Sequence, residues 1–369
     1  AGCHCASPSD DNTARTATIA TASGQAALHL AIATLAGAGS HIVSSSALYG
    51  GSHNLLSYTL ARFGIATTFV KPGDIDSWRA AIRPETKLLF GETLGNPGLD
   101  VLDIPTVSAI AHEAGVPLLV DSTFTTPYLM RPFAHGADLI FHSATKFLCG
   151  HGTVVGGVLV DGGGFDWSQA TRFPELNQPY AGFHGMVFSE ESSDGAFLLR
   201  ARREGLRDFG ACMSPHTAWL MLQGIETLPL RMARHVENTR KVVAFLVAQK
   251  MVSGVGYPEL EGHPSHALAQ RLLPKGCGAV FSFDLKGSRK QGVAFIEALK
   301  LFSHLANVGD CRSLVIHPAS TTHFRMDDAA LASAGIGPGT IRLSIGLEDP
   351  DDLIEDLKRA LKVAEKAGA

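Results

Sequence analysis

Short apolar segments alternate with helix-like stretches through the first part of this 369-residue chain. This alternation constrains the fold more than any other feature, because short apolar strands joined through helices form parallel sheets that are buried on both faces. It predicts an α/β fold with a mostly parallel central sheet and helices on both faces. The predicted strands are His41–Ser45, Ile65–Val70, Lys87–Phe90, Val116–Val120, Asp138–Phe141 and Gly157–Val160.

The intervening stretches predict helices. The run T-A-S-G-Q (residues 21–25) has the hydroxyl and glycine typical of a helix start, and the Ala/Leu-rich helix that follows is expected to end near Ala36. The segment from Gly162 to Tyr180 has little periodicity and is interpreted as a surface loop. Further helices are predicted from Tyr49 to Phe63, from Ile75 to Ile82 and from Ile104 to Ala114.

Three regions are predicted along the chain. Residues 1–20 are small, polar and aperiodic, so an irregular N-terminal tail is expected. Residues 21–234 would form the domain with the parallel sheet, and residues 235–369 a smaller C-terminal α+β domain. The latter combines two predicted strands with two predicted helices: Ala279–Leu285, Thr340–Ile345, Lys290–Lys300 and Asp351–Glu365.

Charge and composition argue against several classes of protein. The net charge is -4 without a basic block, so neither nucleic acid nor an anionic membrane is indicated as a partner. No stretch reaches the roughly 18 apolar residues of a membrane span, and the first residues lack a signal-peptide pattern, so a cytoplasmic location is expected. The six cysteines lack the spacing of a disulfide framework. No metal site is expected, and the histidines are interpreted as hydrogen-bonding loop residues: His142, His151, His317 and His323.

Polar residues follow several of the predicted strands. Ligands of parallel sheets bind beyond the carboxyl ends of the strands, so these residues are expected along one edge, together with the first helix start. They are Tyr49 after the first strand, Glu92 and Asn96 after the third, Asp121 and Thr123 after the fourth, Ser143, Thr145 and Lys146 after the fifth, and Gly24 and Gln25 at the helix start.

This set of groups indicates pyridoxal 5'-phosphate. An amine forms an imine with an aldehyde, a carboxylate pairs with a ring nitrogen, an aromatic side chain stacks, and a helix start with hydroxyls holds phosphate. Each signal alone is weak: Lys146 could be a surface lysine, and the helix start could be an ordinary cap. Motifs of competing chemistries, GxxxxGK[ST], GxGxxG, HExxH and GxSxG, do not occur in a fitting context.

The C-terminal part contains two further polar features. The loop His317–His323 follows an apolar run, and Arg342 lies inside the apolar stretch I-R-L-S-I-G (residues 341–346). An arginine within a strand pairs with an anion or projects to solvent. Arg342 could pair with a structural carboxylate. With an amino-acid-handling cofactor, a bidentate contact to a substrate carboxylate is the favoured interpretation.

The chain resembles the Cys/Met-metabolism family of pyridoxal-phosphate enzymes, the transsulfuration group of fold type I. The resemblance extends from about Ala22 to the end of the chain. It rests on S-G-Q-A-A (23–27), L-Y-G-G (48–51), E-T-L-G-N-P (92–97), V-D-S-T-F-T-T-P (120–127), G-A-D-L-I-F-H-S-A-T-K-F (136–147) and I-R-L-S-I-G (341–346). The runs at 150–153, 158–167, 301–310 and 317–323 are most similar to the O-acetylhomoserine sulfhydrylase branch.

The resemblance implies a role for each matching residue. Lys146 would form the Schiff base and move protons, Asp121 would pair with the pyridine nitrogen, and Tyr49 would stack on the ring. The remaining assignments are phosphate contacts by Gly24, Gln25, Ser143 and Thr145, cofactor contacts by Asn96 and Thr123, and substrate contacts by Ser320, Arg342 and Asn96. Glu92 matches the motif with less weight. Residues 21–234 would then be the pyridoxal-phosphate-binding domain.

The implied reaction is γ-replacement on O-acetyl-L-homoserine by sulfide or a thiol through a cofactor aldimine, giving homocysteine or methionine and acetate. Related activities stay open: cystathionine γ-synthase, O-succinylhomoserine sulfhydrylase and methionine γ-lyase. Family members are typically homotetramers of catalytic dimers, with an N-terminal Tyr-x-Arg arm that reaches the neighbouring subunit's phosphate. Residues 1–20 do not contain this pattern, which leaves a catalytically impaired subunit as the non-enzymatic alternative.

Overall fold

The computed structural model describes residues 17–96, 98–193, 195–321, 324 and 336–368. The chain divides into two compact units. The first, here called the sheet unit, comprises Ala1–Asn96, Asp100–Leu148 and Thr153–Leu222. The second, the C-terminal unit, comprises Pro97–Leu99, Cys149–Gly152 and Gln223–Ala369. The main division therefore falls at residues 222 and 223, before the boundary predicted at residues 234 and 235.

The sheet unit is built on a seven-stranded sheet with the order β1-β7-β6-β5-β4-β2-β3. Strands β2 to β6 are parallel, whereas β7 is antiparallel to both of its neighbours, β6 and β1. The predicted mostly parallel sheet is thus confirmed. The strands are β1 (Ala17–Thr21), β2 (His41–Ser45), β3 (Ala66–Val70), β4 (Thr86–Glu92), β5 (Leu118–Asp121), β6 (Leu139–Ser143) and β7 (Gly157–Asp161).

The helices of the sheet unit include a long first helix, α1, over Gly24–Leu35. Its apolar side packs against the sheet in one core with strand residues such as Phe90 and Phe141. The other α-helices that begin in this unit are Gly50–Asn54, Ile75–Ala80, Ile104–Glu113, Thr126–Leu129, Pro174–Asn177, Phe188–Glu191, Ala196–Arg200, Arg207–Phe209 and Pro215–Glu226. Short 3-10 and π-helical turns cover Leu55–Thr59, Leu60–Phe63, Pro132–His135, Ala181–Phe183 and Ala201–Leu206.

Two expectations for the sheet unit are wrong. The strand β1, Ala17–Thr21, begins inside the predicted tail, and its pairing partner Gly157–Asp161 is remote in sequence; residues 1–16 lie outside the described residues. The segment Gly162–Tyr180 is not a surface loop, because Trp167 and Phe173 are fully buried in the core that also contains the buried residues of α1. Aromatic residues at irregular spacing give no periodic signal, although each of their side chains can bury a large apolar area.

The C-terminal unit has its own five-stranded sheet with the order β10-β11-β12-β9-β8. The strands are β8 (Val252–Gly256), β9 (Val280–Leu285), β10 (Ser303–His304), β11 (Leu314–Ile316) and β12 (Thr340–Ser344). Its helices are Leu228–Val247, His266–Leu272, Arg289–Ala298 and Pro350–Gly368, with a 3-10 turn at Pro318–Ser320. The predicted α+β character of this region agrees with these elements.

Within the described part of the chain, no helix is both long enough and apolar enough to cross a membrane.

Candidate active site

The carboxyl ends of the parallel strands carry the residues that the sequence singles out. Glu92 and Asp121 are the last residues of β4 and β5, and Ser143 is the last residue of β6. Tyr49 precedes the helix Gly50–Asn54. The structure therefore places these strand-end residues at the edge where ligands of parallel sheets bind.

Asp121 is held by a turn that also fixes the end of β6. The Thr123 backbone N–H donates to Asp121 Oδ1 over 2.9 Å, and the Thr123 hydroxyl donates to the same oxygen. The Thr123 hydroxyl oxygen in turn accepts the Ser143 backbone N–H over 2.8 Å. One threonine thus fixes the buried carboxyl relative to the end of the next strand.

The start of α1 lies directly against Ser143. A Cβ added at Gly24 would lie 2.7 Å from Ser143 Cβ and 2.8 Å from Ser143 Cα, so a larger residue would push the two backbones apart. The helix is capped by the Ser23 side chain, which accepts the Ala26 N–H over 3.0 Å. The positive end of the helix dipole therefore meets the end of β6, which is a suitable arrangement for holding a phosphate.

Gln25 and Tyr49 both contact Gly51. The Gln25 amide donates to the Gly51 carbonyl over 3.1 Å. A Cβ on Gly51 would lie 2.4 Å from Tyr49 Cε1, so the tyrosine ring lies over this glycine. The Tyr49 backbone N–H donates to Glu92 Oε1 over 2.6 Å. The Tyr49 ring itself is about half exposed, at 52%, and can be covered by a bound planar group.

Glu92 lies next to Asp121, because the two residues are register partners on the neighbouring strands β4 and β5. The residues form a closed series, which we call the contact ring: Asp121, Thr123, Ser143, Gly24, Gln25, Gly51, Tyr49 and Glu92. Seven of these eight were named from the sequence, Glu92 with less weight. Gly51 was missed, although the glycine pair after Tyr49 signalled a close backbone approach.

The two carboxyl groups of the contact ring, Glu92 and Asp121, both have raised pKa values. Burial and then the neighbouring Asp121 charge raise the pKa of Glu92 well above its ordinary value. Burial also raises the pKa of Asp121 to about 6, while the two Thr123 hydrogen bonds oppose that rise. A buried carboxylate in this position is stabilised by a cationic partner.

Lys146 lies in the turn that follows β6, three residues after Ser143. Its backbone N–H donates to the Ser143 carbonyl over 3.1 Å, and the residue is partly buried. The neighbouring Thr145 hydroxyl donates to the Gly156 carbonyl over 3.2 Å and accepts the Gly156 N–H over 3.0 Å. The predicted phosphate contact of Thr145 therefore has a competing role, since this hydroxyl also fixes the turn after β6.

Asn96 lies in the segment that follows β4. The preceding Gly95 lies against Ala47, because a Cβ there would lie 2.7 Å from Ala47 Cβ. The Gly95 N–H donates to the Asp100 carbonyl over 2.8 Å. This brings the chain after β4 against the segment that leads from β2 to Tyr49. The predicted cofactor and substrate contacts of Asn96 stay predictions.

Ser320 and Arg342 belong to the C-terminal unit. Arg342 lies on β12, in register with Ile316 of β11. Ser320 is exposed at the end of the 3-10 turn that follows β11, and its hydroxyl lies 2.8 Å from His317 Nδ1. Their predicted roles in substrate binding also stay predictions.

The four histidines that were interpreted as loop residues have different environments. His317 and His151 make hydrogen bonds outside regular strands, to Ser320 and to the Cys149 carbonyl. His142 is not a loop residue, because it is buried within β6, and His323 lies outside the described residues. In the described ranges, no group of three or more His, Cys, Asp or Glu side chains could hold a metal ion.

The sheet unit fits pyridoxal phosphate on its own geometry. The Gly24–Ser143 approach would hold the phosphate, buried Asp121 would face the protonated ring nitrogen, and the exposed Tyr49 ring would cover the pyridine. Lys146 supplies an amine at the same edge, and an amine condenses with the cofactor aldehyde. Each group that this cofactor needs has a residue that can provide it.

Comparison with known proteins gives the same result. The family of Cys/Met metabolism PLP-dependent enzymes matches residues 12–362. An O-acetyl-L-homoserine sulfhydrylase of Leptospira meyeri is 48% identical over 94% of this chain and 80% of its own length. A homocysteine synthase of Schizosaccharomyces pombe is 49% identical over 94% of this chain and 82% of its own length.

Solved structures agree. A chain from Campylobacter jejuni, which contains N'-pyridoxyl-lysine-5'-monophosphate, superposes with a TM-score of 0.90 at 38% identity, covering 94% of this chain and 82% of that one. The O-acetylhomoserine sulfhydrylase of Wolinella succinogenes gives a TM-score of 0.80 at 36% identity, with 93% and 91% covered. The predicted cofactor, fold type and family are confirmed, and this chain belongs to the Cys/Met metabolism PLP-dependent enzymes.

Proposed function

We propose that this chain is a transferase that carries out γ-replacement on O-acetyl-L-homoserine. The Cγ–O bond breaks with loss of acetate, and a Cγ–S bond to sulfide or a thiol forms, giving homocysteine or methionine. The observation that carries the proposal is the near-half identity, over almost the whole chain, to relatives named O-acetyl-L-homoserine sulfhydrylase and homocysteine synthase.

The residues of the sheet unit would have different roles in this reaction. Bound pyridoxal phosphate supplies an electron sink that acidifies the substrate protons at Cα and Cβ. Lys146 would anchor the cofactor and then, as a free amine, accept and return those protons. Asp121 would balance the charge of the ring nitrogen, and the α1 start with Ser143 would hold the phosphate.

Substrate orientation is assigned to residues that recognise an amino acid. Arg342 would bind the substrate carboxylate with both guanidinium nitrogens, and Ser320 and Asn96 would donate hydrogen bonds. Gln25, Thr123 and Thr145 would support the phosphate and the ring. We further propose that the protein acts in the cytoplasm as a homotetramer of catalytic dimers, a state that native mass measurement tests.

The decisive experiment supplies purified protein and pyridoxal phosphate with O-acetyl-L-homoserine and sulfide. Homocysteine and acetate in equal amounts are expected. Parallel reactions replace the acetyl ester with the succinyl ester, or sulfide with cysteine or methanethiol. Dominant α-ketobutyrate would overturn the proposal in favour of elimination, and cystathionine as the preferred product would favour cystathionine γ-synthase activity. No product from any ester would favour the impaired subunit.

A further inference from the structure

Glu92 has no assigned role among the residues above, yet it closes the contact ring. Its Cα is the register partner of the Asp121 Cα on β5, and both side chains are buried, at 7% and 9% exposure. Two buried carboxyls on neighbouring strands do not both ionise at low cost, since each is desolvated and each repels the other. At neutral pH the pair is therefore expected to retain a proton.

The hydrogen bonds decide which carboxyl keeps that proton. Asp121 Oδ1 accepts two bonds from Thr123, one from the backbone N–H and one from the hydroxyl, and such donors stabilise the ionised form. Glu92 Oε1 accepts the single backbone N–H of Tyr49. Burial raises the pKa of both carboxyls, and the neighbouring Asp121 charge adds to the rise at Glu92. The proton thus belongs to Glu92 and the negative charge to Asp121.

We propose that Glu92 is a positioning residue for the cofactor, whose neutral carboxyl fixes the Tyr49 backbone and leaves the negative charge of the pair on Asp121. Because the Tyr49 ring lies over Gly51, fixing the backbone also fixes the height of the ring above the site. A second carboxylate would place an additional charge beside Asp121, which pairs with a single ring nitrogen. The inference rests on the proposed roles of Tyr49 and Asp121.

Infrared spectroscopy of the holoenzyme tests the protonation state directly. A protonated carboxyl has a carbonyl stretch that is separate from the bands of ionised carboxylates. We expect this band at neutral pH in the wild type, its loss in Glu92→Gln and its retention in the matched variant Asp121→Asn. A wild-type spectrum without a band that Glu92→Gln removes would overturn the proposal, since Glu92 would then be ionised.

Cofactor affinity tests the positioning role. Glu92→Gln retains a carbonyl oxygen for the Tyr49 N–H, so its Kd for pyridoxal phosphate should stay within about threefold of wild type. Glu92→Ala removes the acceptor and should weaken binding by about tenfold or more, the equivalent of one buried hydrogen bond. Equal losses in both variants would show that a charge is required, and no loss in Glu92→Ala would show that Glu92 positions nothing.

These measurements separate the inference from the proposed reaction. Neither the infrared band nor the cofactor Kd depends on O-acetylhomoserine, so a protein with a different substrate would still give the expected pattern. If Glu92→Ala does not fold, as judged by circular dichroism, the spectrum and affinity of Glu92→Gln still decide the matter. A Glu92→Gln protein whose Kd for pyridoxal phosphate is about tenfold or more above wild type contradicts the inference.

Discussion

At the scale of single residues, Lys146 is the strongest prediction from the sequence. The structure places it in the turn after β6, where its backbone N–H donates to the Ser143 carbonyl. We expect Lys146→Ala to lose the covalent link, so that bound cofactor is removed by dialysis and turnover falls by at least about a thousandfold. Absorption spectra before and after dialysis provide the measurement. A Lys146→Ala protein that retains the wild-type visible band would contradict the assignment.

Asp121 provides the second prediction at this scale. Asp121→Asn keeps the shape of the side chain but removes the charge that would face the ring nitrogen, so kcat should fall by at least about a hundredfold. The control is Asp138→Asn, a buried carboxyl that bonds to His112 and the Leu118 N–H at the opposite end of the strands. Initial rates at saturating cofactor are compared. Similar losses in both variants would indicate a general effect of buried carboxyls.

At the scale of elements, the start of α1 and the end of β6 are joined at Gly24. Gly24→Ala would place a methyl group less than 3 Å from the Ser143 backbone. We expect a loss of about 1 to 3 kcal/mol in stability and a weaker cofactor Kd, since overpacking moves the helix start away from the phosphate position. Urea unfolding and cofactor titration measure the two effects.

The matched control for that helix is Gly37→Ala. Gly37 follows the same helix, and a Cβ there would have no atom within 4 Å. Its substitution should change stability by less than about 0.5 kcal/mol and leave cofactor affinity unaltered. If Gly24→Ala were as well tolerated as Gly37→Ala, close approach of α1 to β6 would not be needed.

The segment after β7 shows where sequence reasoning fails at this scale. Trp167 stacks on Phe197, with ring centroids 5.3 Å apart, and meets Phe173 edge-on. The residues between Trp167 and Phe173 are mostly polar (S-Q-A-T-R, residues 168–172), so the segment has the composition of a loop although its aromatic side chains belong to the core. Aromatic residues at irregular spacing indicate buried segments that neither the helical nor the strand period reveals.

That burial has a measurable consequence. Trp167→Ala should destabilise the sheet unit by about 3 to 5 kcal/mol, because the ring is fully buried and leaves a large cavity. Equilibrium unfolding in urea, followed by circular dichroism, gives the change. A loss below about 1 kcal/mol would mean that the segment is the peripheral loop that its sequence suggests.

At the scale of the whole molecule, the sequence predicted most of the parallel strands to within a few residues, because most of them contain a short apolar run. It missed β1, since A-T-I-A-T (residues 17–21) is weakly apolar and is specified by pairing with remote β7. The strand-end rule correctly gathered Asp121 and Ser143 at one edge. It could not show that Glu92 would bond to the Tyr49 backbone, because that contact depends on side-chain packing.

Two buried histidines make stability depend on pH across the molecule. His142 in β6 and His235, whose Nδ1 lies 2.6 Å from the Ile345 carbonyl oxygen, have pKa values that burial lowers from 6.5 to about 4. The unfolded chain therefore binds more protons than the folded protein between these values. Their contribution to stability is complete above about pH 6.5 and is lost as the pH falls towards 4.

Asp121 and Glu92 act in the opposite direction, because their raised pKa values make the folded protein bind more protons than the unfolded chain. A comparison of the wild type with variants that lack these histidines therefore separates their effect on stability from that of the two carboxyls. In wild type, the urea concentration at the unfolding midpoint should fall between pH 6.5 and pH 4. We expect this fall to be smaller in the double variant His142→Gln/His235→Gln, whereas His216→Gln, at an exposed position, should not reduce it. An unchanged acid slope in the double variant would show that these histidines do not resist protonation in the folded state.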